Sequence, residues 1–113
     1  MTTVHTLASG SSGNAAVLSC GDTHLLIDAG ISCRRITAAL KELGLTPVEL
    51  TAILVTHTHS DHISGLNTLL KKTDCPILAT PRTCRELDCR FPGIEPRLME
   101  AEGAVTLGEV DIQ

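Results

Sequence analysis

The sequence predicts an α+β domain in which antiparallel strands come first and helices alternating with buried strands follow. Two observations support this fold class. Residues 4–27 consist of short β-prone segments separated by turns of small residues, which is typical of consecutive hairpins. From residue 32 onward, apolar residues recur at the i, i+3, i+4, i+7 spacing of amphipathic helices, and apolar runs of strand length lie between these helices.

The antiparallel part contains three predicted strands. The first runs from Val4 to Ala8 and ends at the small-residue cluster 9–14, which must turn. The second runs from Ala15 to Cys20 and is followed by a Gly-Asp turn. The third, Leu25 to Ile27, ends at Asp28-Ala29-Gly30. These strands would begin an antiparallel sheet.

The first predicted helix begins after Ser32, a suitable N-cap, and ends before Gly44, a suitable residue just beyond a helix C-terminus. After it, the continuous apolar run from Ala52 to Val55 predicts a strand buried on both faces. A second helix is indicated by an apolar stripe of four residues: Ile63, Leu66, Leu69 and Leu70.

The last third of the chain repeats this alternation. Ile77 to Ala79 predicts a short buried strand, and Thr80-Pro81 marks the start of a helix that runs to about Arg90. Short β-like pieces at 98–99 and 105–107 precede a turn and a returning strand that starts at Val110.

Length and composition exclude several classes. One hundred and thirteen residues form at most one domain, and 42% hydrophobic with 19% charged residues excludes a disordered tail. No apolar run approaches the roughly 20 residues of a membrane helix. No secretory signal is visible, so we expect no membrane partner and a cytoplasmic location. The five cysteines include no C-x-x-C pair and are expected to be buried or partly buried free thiols.

Charge and aromatic content limit the ways in which this chain could bind nucleic acid. The net charge of −4 argues against nonspecific attraction to phosphate backbones, although it leaves room for a local basic patch. Phe91 is the single Phe, Trp or Tyr, so a platform for stacking bases is not expected.

One segment concentrates the chemistry. His57, His59, Asp61 and His62 form the pattern H-x-H-x-D-H after the predicted strand 52–55. Residues two apart on extended backbone point to the same side, so His57 and His59 should converge on one point. Asp61 and His62 begin the next helix and approach a second point nearby. Such ligands suit zinc, manganese or iron, and two metals about 3.5–4 Å apart are a familiar hydrolytic arrangement. The spacing predicts two divalent metal ions.

This motif, together with the segments Leu25 to Gly30 and Leu7 to Asn14, resembles the metallo-β-lactamase superfamily. The segment 7–14 is similar in particular to the YycJ (WalJ) branch, bacterial proteins considered nucleases or phosphodiesterases. The resemblance implies a four-layer αββα sandwich. Residues 1–113 would supply half of it, namely one mixed β-sheet with helices on one face.

The resemblance also implies roles for the motif. His57 and His59 would bind the first metal, and Asp61 and His62 the second. A hydroxide held between the metals would be the nucleophile, which Asp61 would orient and deprotonate. The family's remaining ligands lie downstream of the motif, and no histidine follows His62 here. We therefore expect residues 1–113 to be the N-terminal part of a longer domain and to be inactive alone.

Residues outside the motif receive weaker assignments. By resemblance, Asp28 would hold the loop that carries the three histidines (residues 56–62, the histidine loop) from behind the metal ligands. The alternative is that Asp28 only forms a turn. Ser11, Ser12 and Asn14 offer donors to a substrate phosphate at the rim of the site, although a plain turn explains them nearly as well.

The leading interpretation is a metal-dependent hydrolase of phosphodiesters, with nucleic acid as substrate. The alternatives are a thioester, lactone or β-lactam hydrolase of the same fold, and a non-catalytic half-domain that binds metal or a partner. Arg82, Arg85 and Arg90 would suit a phosphodiester, but a solvated helix face explains them adequately. A half-sandwich leaves an apolar sheet face open to water, so we expect a homodimer or larger assembly.

Overall fold

The structure is a computed structural model that describes residues 2–11, 13–100, 105–107 and 110–112, without the side chains of residues 60, 61 and those after 100. Within this part of the chain, six strands form one sheet in sequential order. They are β1 (Thr2–Ala8), β2 (Ala15–Cys20), β3 (Thr23–Ile27), β4 (Ala52–Leu54), β5 (Ile77–Ala79) and β6 (Leu98–Glu100). β1, β2 and β3 pair antiparallel, whereas β3 to β6 pair in parallel. A separate hairpin joins β7 (Val105–Leu107) and β8 (Val110–Ile112).

The helices lie in the connections between the parallel strands. They are α1 (Cys33–Glu42), α2 (Ser60–Ile63), α3 (Leu66–Leu69) and α4 (Pro81–Arg90), with 3₁₀ turns at Pro47–Glu49 and Glu95–Arg97. Both predicted N-caps are confirmed, because the Ser32 and Thr80 side chains accept backbone hydrogen bonds from the first turns of α1 and α4. The predicted mixed sheet with helices is therefore confirmed, as is the boundary of each long helix.

The main core lies between the helices and one face of the sheet. Alternate strand residues point to this face, and Leu26, Ile53 and Ile77 at its centre are fully buried. The helices meet them with fully buried leucines, among them Leu40 and Leu87. Each such side chain stabilises the fold by about 1.5–3 kcal/mol relative to an exposed one.

The opposite face of the sheet differs from the sequence expectation. We expected this face to be open to water, yet Leu25, Ala52 and Leu78 at its centre are 1%, 0% and 4% exposed within the single chain. Leu18 and Leu54 beside them are partly buried. The premise of an open face is thus wrong at its centre, and the homodimer or larger assembly stays a prediction.

The second predicted helix is divided into α2 and α3 by Gly65. A Cβ atom at Gly65 would lie 2.0 Å from the Ile31 carbonyl oxygen, so only glycine allows the two backbone segments to touch here. Two hydrogen bonds fix this contact: Gly65 N–H donates to the Ala29 carbonyl (2.8 Å), and Ala29 N–H donates to the His62 carbonyl (2.7 Å). The apolar stripe continues across the break because Ile63, Gly65 and Leu66 are all buried.

All five cysteines are free, as expected. The burial prediction is confirmed for four of them and wrong for Cys89, which is exposed on α4. Burial raises the pKa of the Cys75 and Cys84 thiols, so these two stay protonated at neutral pH. Among the described residues, no helix has the length and apolarity needed to cross a membrane.

Candidate metal centre

The candidate site lies where three parallel strands end at the same edge of the sheet. Asp28 follows β3, the segment Thr56–His62 follows β4, and α4 follows β5. Parallel strands place their carboxyl ends together, so residues far apart in sequence meet at this edge. Crevices at such an edge are the usual ligand sites of sheets with parallel strands.

Asp28 is the centre of the hydrogen-bond network at this edge. It is 5% exposed, and within the described residues it is the one non-glycine residue with a positive φ, 62°. This left-handed conformation turns the chain immediately after β3 and directs the carboxylate at the end of β4. Its Oδ1 accepts from Thr56 N–H (2.8 Å), while Oδ2 accepts from the Thr56 hydroxyl (2.6 Å) and from His62 Nδ1 (2.7 Å).

This network determines the tautomers of two histidines. A carboxylate can only accept, so His62 must carry its proton on Nδ1, and Nε2 is then the nitrogen with a lone pair. The Thr56 hydroxyl donates its single proton to Asp28, so at 3.0 Å His57 Nδ1 must be the donor to Thr56 Oγ1. His57 and His62 are therefore both held with Nε2 as the potential metal ligand, the arrangement found behind metal-binding histidines.

The three imidazoles lie close together. The His57 ring centroid is 4.8 Å from that of His62 and 6.4 Å from that of His59. The pairing of His57 with His59 on one metal ion, and of Asp61 with His62 on the other, stays a prediction. β4 ends at Leu54, and α2 brings His62 back beneath Thr56. The side chain of Asp61 lies outside the described residues.

A second contact holds the histidine loop from the side of α4. Thr58 is 9% exposed, and its hydroxyl donates a short hydrogen bond to Glu86. This bond and the nearby Arg82 guanidinium, whose Nε lies 3.4 Å from Glu86 Oε1, hold the pKa of Glu86 below its ordinary value of 4.5. Glu86 is therefore ionised at neutral pH. The histidine loop is fixed between two carboxylates, Asp28 and Glu86.

The segment before β2 is bonded to the turn after Asp28, and the Asn14 side chain bonds to the nearby Gly10. The Asn14 amide donates to the Gly10 carbonyl (2.9 Å) and accepts from Gly10 N–H (3.1 Å). Its backbone carbonyl accepts from Gly30 N–H (2.9 Å), which ties the loop to the turn after Asp28. Ser11 is exposed, and Ser12 lies outside the described residues. The predicted substrate contacts of Ser11, Ser12 and Asn14 stay a prediction.

The donor set fits a zinc-type divalent ion by its chemistry, since neutral imidazoles with lone pairs on Nε2 are preferred zinc ligands. His57, His59 and His62 would supply three such groups, and Asp61 would add a carboxylate. Among the side chains that the structure describes, no three histidine, cysteine, aspartate or glutamate groups are placed to enclose a metal ion. The assignment of these residues as metal ligands stays a prediction.

Sequence reasoning missed three residues of this centre: Thr56, Thr58 and Glu86. The two threonines occupy unremarkable positions beside the histidines, and their partners lie 28 residues away. A sequence signal existed for part of this arrangement, because Arg82 and Glu86 are four residues apart on one helix face. The contact between Thr58 and Glu86 depends on the parallel arrangement of β4 and β5 and had no local signal.

Comparison with known proteins places the fold in a family. The family model of the metallo-beta-lactamase superfamily matches residues 8–94. The chain belongs to the metallo-beta-lactamase superfamily. In structure it is similar to a metallo-beta-lactamase from Cronobacter sakazakii, with a TM-score of 0.79 and 20% identity over 94% of this chain and 44% of that protein.

Among curated proteins, the chain is similar to bacterial exonucleases. It is 37% identical over 112 residues to exodeoxyribonuclease WalJ of Streptococcus pneumoniae serotype 2. It is 36% identical over 110 residues to exodeoxyribonuclease YycJ of Bacillus anthracis. Each match covers 95% of this chain and 42% of the relative. The chain therefore spans less than half the length of these curated relatives.

Proposed function

We propose that the protein containing this chain is a metal-dependent phosphodiesterase that hydrolyses DNA. The observation that carries the proposal is the Asp28–Thr56–His62 network, which sets two histidines in the tautomer that binds metal. The similarity to exodeoxyribonucleases supports phosphodiesters over the other substrates of the fold.

In this proposal the residues of the motif have different roles. His57, His59, Asp61 and His62 hold two divalent ions, with zinc or manganese favoured and iron as an alternative. When bound, such ions lower the pKa of water and offset negative charge on a phosphodiester. Asp61 accepts a proton from the attacking water, and Asp28 keeps His62 oriented while this happens.

The proposal is tested on the whole protein with linear DNA and added Mn²⁺ or Zn²⁺. We expect His59→Ala and Asp61→Asn to reduce the rate of nucleotide release at least 100-fold, because each removes a ligand or a proton acceptor. Ser64→Ala, a substitution of an exposed residue in the turn after α2, is the matched control and should retain activity. Hydrolysis of a thioester but not of DNA by the parent protein would contradict the proposed substrate.

Residues 1–113 alone should not show this activity. The motif gives each ion only two ligands, whereas a catalytic zinc site has about three protein ligands. We expect the chain to bind zinc or manganese weakly and to hydrolyse DNA no faster than background. Activity of the chain that His57→Ala abolishes would show that the motif suffices.

A further inference from the structure

A groove runs from the histidine loop along the outer face of α4. It has a volume of about 650 Å³, is open to solvent along its length, and is lined by Thr58, His59, Arg82, Arg85, Glu86, Cys89 and Arg90. The α4 members occupy positions i, i+3, i+4, i+7 and i+8 from Arg82, which is one continuous face of a helix. Thr83, Cys84 and Leu87 occupy the other face and pack into the core. The groove face is therefore a fixed surface of the fold.

The charge of this groove opposes the charge of the chain. The whole chain has nine Lys and Arg against 13 Asp and Glu, yet three arginines meet here with one carboxylate. That carboxylate, Glu86, is occupied by Thr58 and Arg82. Arg85 and Arg90 are exposed, and neither forms an ion pair with another residue in the described part of the chain. The groove thus presents a net positive surface that begins at His59.

We infer that this groove binds the sugar-phosphate backbone of a DNA strand whose end or scissile bond lies at the histidines, an inference that rests on the proposed function. From Arg82 to Arg90 the helix rises about 12 Å, at roughly 1.5 Å per residue. That length exceeds the spacing of successive phosphates, about 3.4 Å along a duplex strand. Three guanidiniums along this line suit a polyanion, and guanidinium forks bind phosphates in two-pronged geometry.

The side chains that line the groove also determine how it would recognise DNA. No Phe, Tyr or Trp side chain lines the groove, and Phe91, the single such residue of the chain, packs against the core. Bases therefore find no platform of large aromatic rings here, and contacts to phosphates carry no sequence information. The groove binds DNA independently of sequence and with strong dependence on salt.

The test measures binding without hydrolysis. The whole protein in EDTA is titrated into a fluorescein-labelled single-stranded 20-mer, and anisotropy gives the Kd across a range of NaCl concentrations. Each lost phosphate contact reduces the slope of log K against log salt by about 0.7 for a single strand. We expect the double variant Arg85→Gln, Arg90→Gln to reduce the slope by about 1.4, with the same loss for oligo-dT and for a mixed sequence.

The control is the double variant Arg34→Gln, Arg35→Gln, which makes the same change in net charge on exposed residues of α1 that do not line the groove. It should keep the parent slope. An unchanged slope in the Arg85, Arg90 variant, an equal loss in both variants, or no DNA binding by the parent would overturn the inference. Groove-dependent binding without hydrolysis would refute the proposed function alone, whereas hydrolysis with an unchanged slope would refute the groove alone.

Discussion

Asp28→Asn is the most informative single change at the metal centre. Asparagine keeps the shape of the side chain and tolerates the positive φ of 62° at this position. It retains one oxygen, which can still accept from Thr56 N–H, but it replaces Oδ2 with an NH₂ group. That group faces the Thr56 hydroxyl and His62 Nδ1, both of which donate to Asp28 in the parent. The Thr56 hydroxyl and His62 Nδ1–H would then both face an NH₂ group, which cannot accept their hydrogen bonds.

These hydrogen bonds can be restored only if His62 changes from a donor to an acceptor at Nδ1. His62 moves its proton from Nδ1 to Nε2 and accepts from the new amide, so the nitrogen meant for the metal loses its lone pair. Two charge-assisted bonds, each contributing about 1.5–3 kcal/mol, become neutral bonds, and after this relaxation we expect a loss of stability of about 1–3 kcal/mol. Metal affinity should fall about 10–100-fold, the usual effect of removing the group behind a metal-binding histidine.

Two measurements check this prediction. Zinc affinity is measured by competition with a chromophoric chelator, and the ¹⁵N shifts of the His62 ring report its tautomer in the metal-free chain. Asp22→Asn, in the exposed turn between β2 and β3, makes the same change in charge and should alter neither. If Asp28→Asn keeps parent zinc affinity and the Nδ1–H tautomer of His62, the assigned role of Asp28 is refuted.

Two further predictions concern the supports of the loop. Gly65→Ala places a Cβ atom 2.0 Å from the Ile31 carbonyl oxygen and should lower the free energy of unfolding by about 3 kcal/mol in urea denaturation, whereas Ser64→Ala should have little effect. The pKa of Glu86 is lowered by its bond from Thr58, so its contribution is present at neutral pH and is lost as pH falls below 4.5 through the folded-state value. The difference in Tm between the parent and Glu86→Gln should therefore shrink in that acid range; a constant difference would contradict the assignment.

The sequence by itself determined most of the helices and strands, and it predicted the residue types proposed to bind metal. The capping residues Ser32 and Thr80 fixed the starts of α1 and α4, because their hydroxyls satisfy N–H groups that have no partner within the helix. The strands β2 and β5 begin and end where the apolar runs and turn residues predicted. The H-x-H-x-D-H spacing predicts metal-binding chemistry after β4, since such a cluster has no use in packing.

Tertiary structure decided which residues support and surround that chemistry. Asp28 and Glu86 lie 28 residues from their threonine partners, and only the parallel order of β3, β4 and β5 brings them to one edge. The same order places Arg85 and Arg90 in one groove with His59, so a helix face that the sequence presents as ordinary solvated surface becomes the wall of that groove. Local patterns encode local hydrogen bonds and burial, whereas the pairing of distant strands depends on the packing of the whole sheet, and no short segment records it.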